Sequence, residues 1–124
     1  METYLNIFKS LSDGTRIRIL RILLEAGIEL CVCEIMDSLR VKQYNISSHI
    51  KELRLAGLVK ERKDGRFVFY CLNKQKERFV KNIFSAVMSI PEVPFKSDIE
   101  RLRKRLSLRV GCKVVVTKDG RKKP

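Results

Sequence analysis

Residues 29–57 read ELCVCEIMDSLRVKQYNISSHIKELRLAG, and the spacing of their apolar side chains decides the fold. Val32, Ile35, Met36 and Leu39 recur at intervals of three and four, which predicts a short helix over about 32–39 with one buried stripe. Arg40 and Val41 make a tight turn, after which Ile46, Ile50 and Leu53 define a second buried stripe within 43–56, closed by Gly57. Two short helices joined so closely have the shape of a helix-turn-helix. At about 100° per residue, the face opposite the second stripe presents Tyr44, Ser48 and Lys51, with Gln43, Asn45 and Ser47 beside them at the helix start. None of these is acidic. Amides suit adenine edges, Ser is adaptable, and Lys51 suits phosphate or guanine, as expected of a helix that enters the major groove by its N-terminal end. His49, the sole histidine, falls at the edge of the buried stripe, where a phosphate contact or a packed position outweighs a ligand role. A solvated helix face has the same composition, so the flanking segments must decide.

On the C-terminal side, Asp64-Gly65 is a type I′ hairpin signal, and Phe67, Val68, Phe69 and Tyr70 favour strands. Leu58 to Leu72 is therefore expected to form a β-hairpin whose basic tip, Arg62, Lys63 and Arg66, resembles a wing that lies along a phosphate backbone. On the N-terminal side, Ser12 and Asp13 precede Ile17, Leu20, Leu23 and Leu24 at helical spacing, with Gly27 beyond, which predicts a helix over Asp13 to Ala26. Tyr4, Leu5, Phe8 and Leu11 share one face of a shorter helix ahead of it, serving either the core or a dimer contact. Residues 74–89 return to helical period: Phe79, Ile83, Val87 and Ile90 form one stripe, Val80 and Phe84 widen it, and Pro91 ends it. So wide an apolar face calls for a partner helix from a second copy, which makes Tyr4, Phe8, Phe79, Ile83, Phe84 and Val87 the candidate dimerisation residues. Pro91 to Pro94 reads as a linker. Ser97-Asp98-Ile99-Glu100 has capping-box form ahead of Ile99, Leu102 and Leu106, and residues 110–124 read as a frayed strand. The expected architecture is mainly α with a small β-hairpin, a winged helix-turn-helix over residues 1–90 that is homodimeric through its terminal helices, followed by a basic C-terminal extension over 91–124.

The chain has 124 residues, room for one such domain and an extension. Its net charge of +13 points to a polyanionic partner, but residues 101–124 hold ten Lys or Arg against one Asp, which leaves +4 for residues 1–100. The tail is therefore expected to supply nonspecific phosphate affinity, or else to be a solvated end. Apolar runs such as Ile17 to Leu24 are broken by Arg18 and Arg21 and fall short of the roughly 18–20 residues that cross a bilayer. Met1 to Leu11 lacks the ordered regions of a secretory leader, so a cytoplasmic location is expected. One His and scattered acids assemble no nucleophile with a base and no paired carboxylates, and catalysis is not expected.

In a reducing compartment the four Cys are core residues, ligands or reactive thiols rather than a disulfide framework. Cys31 occupies the position where an N-capping Ser, Thr or Asp is expected, and a thiol there feels the helix dipole and tends toward thiolate, the form that binds soft ions. Residues i and i+2 point roughly 200° apart in a helix but to the same side in extended chain. Cys31 and Cys33 are therefore expected to grip one ion only when the first turn is unformed or unwound, which would tilt the recognition helix and weaken DNA binding. The competing reading is two small core residues. Two sulfurs make an incomplete site, and Cys112, from the same or the partner subunit, is the candidate third ligand; Cys71 reads as core, and Met36 offers a weak thioether.

Leu11-Ser12-Asp13-Gly14-Thr15-Arg16, Glu29-Leu30-Cys31-Val32-Cys33-Glu34, Ser48-His49-Ile50-Lys51-Glu52-Leu53, Ala56-Gly57-Leu58-Val59 and Asp64-Gly65-Arg66 resemble, in order and spacing, the ArsR/SmtB family of metal-responsive winged-helix repressors. The resemblance covers about Phe8 to Leu72. It implies a homodimer held by its first and last helices, bound to a near-palindromic double-stranded operator and released by ligand. The Cys-Val-Cys element resembles the one that binds trivalent arsenic or antimony in the arsenic-responsive branch, and cadmium, lead or zinc in others. Met36 stands where the arsenic repressors have a third Cys, and Arg40 and Lys42 replace small and capping residues in the turn. Two other readings stay open: a thiol-redox switch built on Cys31, Cys33 and Cys112, and a ligand-independent DNA- or RNA-binding protein whose tail supplies the affinity.

Overall fold

A computed structural model describes residues 1–74 and 77–109. The helices are α1 (Glu2–Ser10), α2 (Gly14–Ala26), α3 (Val32–Leu39), α4 (Gln43–Leu55), α5 (Arg78–Ser89) and α6 (Lys96–Leu106), and the strands are β1 (Leu30–Cys31), β2 (Val59–Asp64) and β3 (Phe67–Leu72). Helix α2 starts and stops where its end residues dictate. The Asp13 carboxylate accepts the Arg16 backbone N–H at 3.1 Å, and Gly27 takes φ 65 beyond the last turn. Ile19, Leu20, Ile22 and Leu23 of α2 meet Ile35 and Leu39 of α3 and Ile46, Ile50 and Leu53 of α4 in one core; of the expected α2 stripe, Leu20 and Leu23 are buried, whereas Ile17 and Leu24 are only partly so and Ile19 and Ile22 take the inner positions.

The hairpin is part of a three-stranded antiparallel sheet of order β1-β3-β2, the winged helix-turn-helix arrangement expected plus one strand. Strand β1 pairs Leu30 with Tyr70 and Cys31 with Phe69. Two residues are too short to show alternation, so only the partner strand reveals them. The hairpin turn also differs from expectation. Asp64 pairs with Phe67, leaving Gly65 and Arg66 as the loop, and among the non-glycine residues described only Arg40 has positive φ. Positive φ at the first loop position alone is the sign pattern of a II′ turn, not I′.

Residues 91–95 are not an extended linker. Val93–Phe95 form a 3-10 turn, and Phe95 is buried under the Arg21 guanidinium, 4.8 Å from the ring centroid. Arg21 also donates to the carbonyls of Val87 and Ile90 at 3.1 and 2.7 Å, satisfying the C-terminal end of α5. Helix α6 begins at Lys96, so Ser97 lies inside it and the expected capping box does not form; Asp98 instead receives Arg18 and Arg101. Ile99 and Leu102 are buried, and α6 packs along α3 and against α2. Among the described residues no helix is long and apolar enough to cross a membrane.

Candidate nucleic-acid interface and thiol pair

Helix α4 sorts its residues as its spacing predicts. Ile46, Ile50 and Leu53 are fully buried, whereas Gln43, Tyr44, Asn45, Ser47, Ser48 and Lys51 are exposed along one side, Tyr44 at 83%. His49 is half-buried. Its Nδ1 accepts Nε–H of Arg16 at 3.2 Å and stands 3.7 Å from Asp13 Oδ1, so the start of α2 holds the imidazole. Neither partner was foreseen from sequence, because both lie more than thirty positions away.

On the wing, Lys63 and Arg66 are exposed. Arg62 is not a free phosphate hook: it is exposed, yet its guanidinium forks onto Glu29 at 2.8 and 2.9 Å and lies 4.8 Å above the Phe69 ring. The hydrogen bond to Glu29 raises the Arg62 pKa and lowers that of Glu29. Arg54 likewise joins the end of α4 to β2 through Glu61 at 2.7 Å.

The terminal helices divide the candidate dimerisation residues. Tyr4 and Phe8 of α1 remain exposed and meet the Phe79 ring edge-on at 4.9 and 5.6 Å, while Phe79, Ile83 and Phe84 of α5 are partly buried. Val87 is a correction. It is 4% exposed within its own chain and belongs to the core, because α5 turns that edge of its wide stripe toward α2.

Cys31 ends β1 and caps α3 with extended backbone, φ −81 and ψ 163. That geometry overturns the expected need for an unwound turn. Cys33 lies in the first turn of a formed helix, yet the two sulfurs are 2.8 Å apart, because Cys31 stands outside the helical spiral. The pair is buried, 1% and 4% exposed, under Phe69. The expected thiolate is not favoured either. The contact with Cys33, then burial, pushes the Cys31 pKa well up and outweighs the backbone N–H of Glu34 that would lower it.

A reciprocal cap surrounds the pair. Glu34, fully buried, accepts the Cys31 N–H at 3.0 Å through Oε1. Arg109 then closes on both oxygens of Glu34 at 2.7 and 2.6 Å and donates to the Glu29 carbonyl at 2.9 Å. Met36 packs in the main core, and Cys71, on β3 opposite Lys60, is not among the residues packed round the pair. Cys112 lies outside the described residues. Among those described, no third Cys, His, Asp or Glu joins the two sulfurs in a group that could hold a metal ion.

Residues 13–61, from the α2 cap to the wing, match the family described as "Bacterial regulatory protein, arsR family". The arsenic resistance transcriptional regulator ArsR2 of Pseudomonas putida is 39% identical over 88 residues, 71% of this chain and 76% of its own length. The chain belongs to the arsR family. A second relative of this arsR-family chain, the cadmium resistance transcriptional regulatory protein CadC homolog of Staphylococcus aureus, is 38% identical over 69 residues, 56% of each chain. Among solved structures, reduced HlyU from Vibrio cholerae superposes with a TM-score of 0.58 at 31% identity, covering 69% of this chain and 85% of that one. The family and these relatives are transcriptional regulators rather than enzymes, and this arsR-family member is a helix-turn-helix transcriptional regulator.

Proposed function

We propose that this regulator binds operator DNA as a homodimer and is released when arsenite or antimonite is captured by Cys31 and Cys33, with Cys112 as third donor. One observation carries the reading: two buried thiols 2.8 Å apart, one capping and one in the first turn of α3, the helix that packs directly against α4. The exposed residues Gln43, Tyr44, Asn45, Ser47, Ser48 and Lys51 meet base edges and backbone, and His49, Lys63, Arg66 and the paired Arg62 meet phosphate. Tyr4, Phe8, Phe79, Ile83 and Phe84 supply the dimer contact. Residues 1–90 thus carry DNA binding and dimerisation, and residues 91–124 form the extension that brings Cys112.

The raised pKa of Cys31 favours a trivalent metalloid. Uncharged arsenous acid brings its own hydroxyls, so two thiols form two As–S bonds with release of two waters and no net proton. A divalent cation must instead displace both protons, one of them from Cys31, whose pKa is raised. The resemblance to a cadmium regulator supports a second reading, in which cadmium, lead or zinc is the effector. Equilibrium dialysis of arsenite against wild type and Cys33→Ser, repeated with cadmium, tests the proposal. One arsenite per chain, lost in the variant, is expected; equal uptake by both proteins, or uptake of cadmium alone, overturns the arsenite reading.

A further inference from the structure

Helix α6 and the three residues after it carry an arginine every four positions, Arg101, Arg105 and Arg109, and each engages α3 or the chain just before it. Arg101 donates to the Ser38 carbonyl at 2.7 Å, Arg105 to Asp37 at 2.7 Å, and Arg109 to both oxygens of Glu34. The α3 partners descend as the arginine numbers rise, so α6 lies antiparallel along α3 and is pinned to it from end to end. At the far end Asp98 joins Arg101 to Arg18, which also donates to the Leu39 carbonyl at 2.7 Å. These contacts are largely withdrawn from water: Glu34 is 0% exposed, and Arg105 and Asp98 are 4% exposed. Arginines of a basic extension expected to serve phosphate are thus tied up inside the fold.

The strap ends at the thiols. Oε1 of Glu34 accepts from the Cys31 backbone N–H and from Arg109 at once. Two sulfurs each about 2.3 Å from one ion stand more than about 3 Å apart at any angle of about 90° or wider. They now stand 2.8 Å apart in a closed site, so ligation must spread them. In a close-packed interior neither sulfur moves alone. The displacement passes from Cys31 to Glu34 and so to Arg109.

Resting on the reading of the thiol pair as the effector site, we propose that Glu34 and Arg109 are positioning residues joining that site to α6, and that ligation of the thiols opens their contact and loosens α6 from α3. By reciprocity, a chain that already lacks the contact binds the effector more tightly.

The test is hydrogen exchange over residues 96–109 of the full chain, with and without saturating arsenite, together with arsenite affinity of the double variant Glu34→Gln/Arg109→Met. Removing both charges leaves no buried ion unpaired, so the fold is expected to survive. Arg109→Lys, which keeps the charge but not the two-pronged geometry, serves as a second variant. Arsenite is expected to speed exchange over 96–109 in wild type. The double variant is expected to exchange fast there without arsenite and to bind it about five- to tenfold more tightly, with Arg109→Lys between. Unchanged exchange over 96–109 at saturation, or wild-type arsenite affinity in both variants, overturns the proposal and leaves the sensor reading standing. Failure of wild type to bind arsenite overturns both.

Discussion

Arg16 donates through Nε to His49 Nδ1 at 3.2 Å, which ties the first turn of α2 to the middle of α4. Because Nδ1 accepts, the neutral imidazole carries its proton on Nε2, the nitrogen left to donate to a phosphate oxygen. His49→Ala is therefore expected to weaken binding to operator and unrelated duplexes alike, by about 0.5–1.5 kcal/mol, or roughly two- to tenfold. Arg16→Met should give part of that loss. Fluorescence anisotropy on both duplexes measures it, and a changed base preference in His49→Ala would show that the residue reads sequence instead.

Arg40 ends α3 with φ 55, a left-handed conformation that disfavours a side chain. Glycine is free of that penalty. Arg40→Gly is accordingly expected to stabilise the fold by up to about 1 kcal/mol, seen as a higher urea midpoint at unchanged m-value. A lower midpoint would mean that the Arg40 side chain makes a compensating contact.

Asp13 caps α2 and faces His49. Slight burial pushes its carboxyl pKa up, but the Arg16 backbone N–H and the nearby His49 outweigh that and hold it below its ordinary value. A carboxylate with a lower pKa folded than unfolded stabilises above the unfolded pKa, and that contribution fades as pH falls through the folded one. Asn caps comparably without titrating. Wild type should therefore melt above Asp13→Asn near neutral pH, and the gap should close as pH falls below about 4. A gap constant with pH would contradict the assignment.

Phe8 is 54% exposed on the chain and stacks edge-on with Phe79, presenting an apolar surface beside α5. Phe8→Glu should yield monomers by sedimentation, with operator binding weakened at least tenfold because two half-sites no longer bind as one unit. A dimeric variant would remove α1 from the interface.

What could be read from sequence follows from how local each signal is. Ile46, Ile50 and Leu53 fix the buried side of α4, and therefore its exposed side, by spacing alone. The Asp64-Gly65 pair locates the hairpin because a glycine at a two-residue loop is a local requirement, although the turn type depended on the sign of one further dihedral. Strand β1 and the α6 strap were illegible, since each exists only through partners about forty to eighty positions away. The thiol geometry was misread for a sharper reason: the two-residue spacing was measured as if both Cys lay in one helix, whereas Cys31 is the extended residue before it. Its expected thiolate failed because contact with Cys33 and burial overcome the helix end.

Everything in the regulatory account requires that the two sulfurs at the start of α3 control operator occupancy. The direct measurement is operator-bound fraction during an arsenite titration of wild type and Cys31→Ser, a substitution that keeps an N-capping oxygen at the start of α3. The account predicts equal operator affinity without arsenite, release of wild type as arsenite rises, and a Cys31→Ser complex that stays bound. Release of both proteins over the same arsenite range would contradict it.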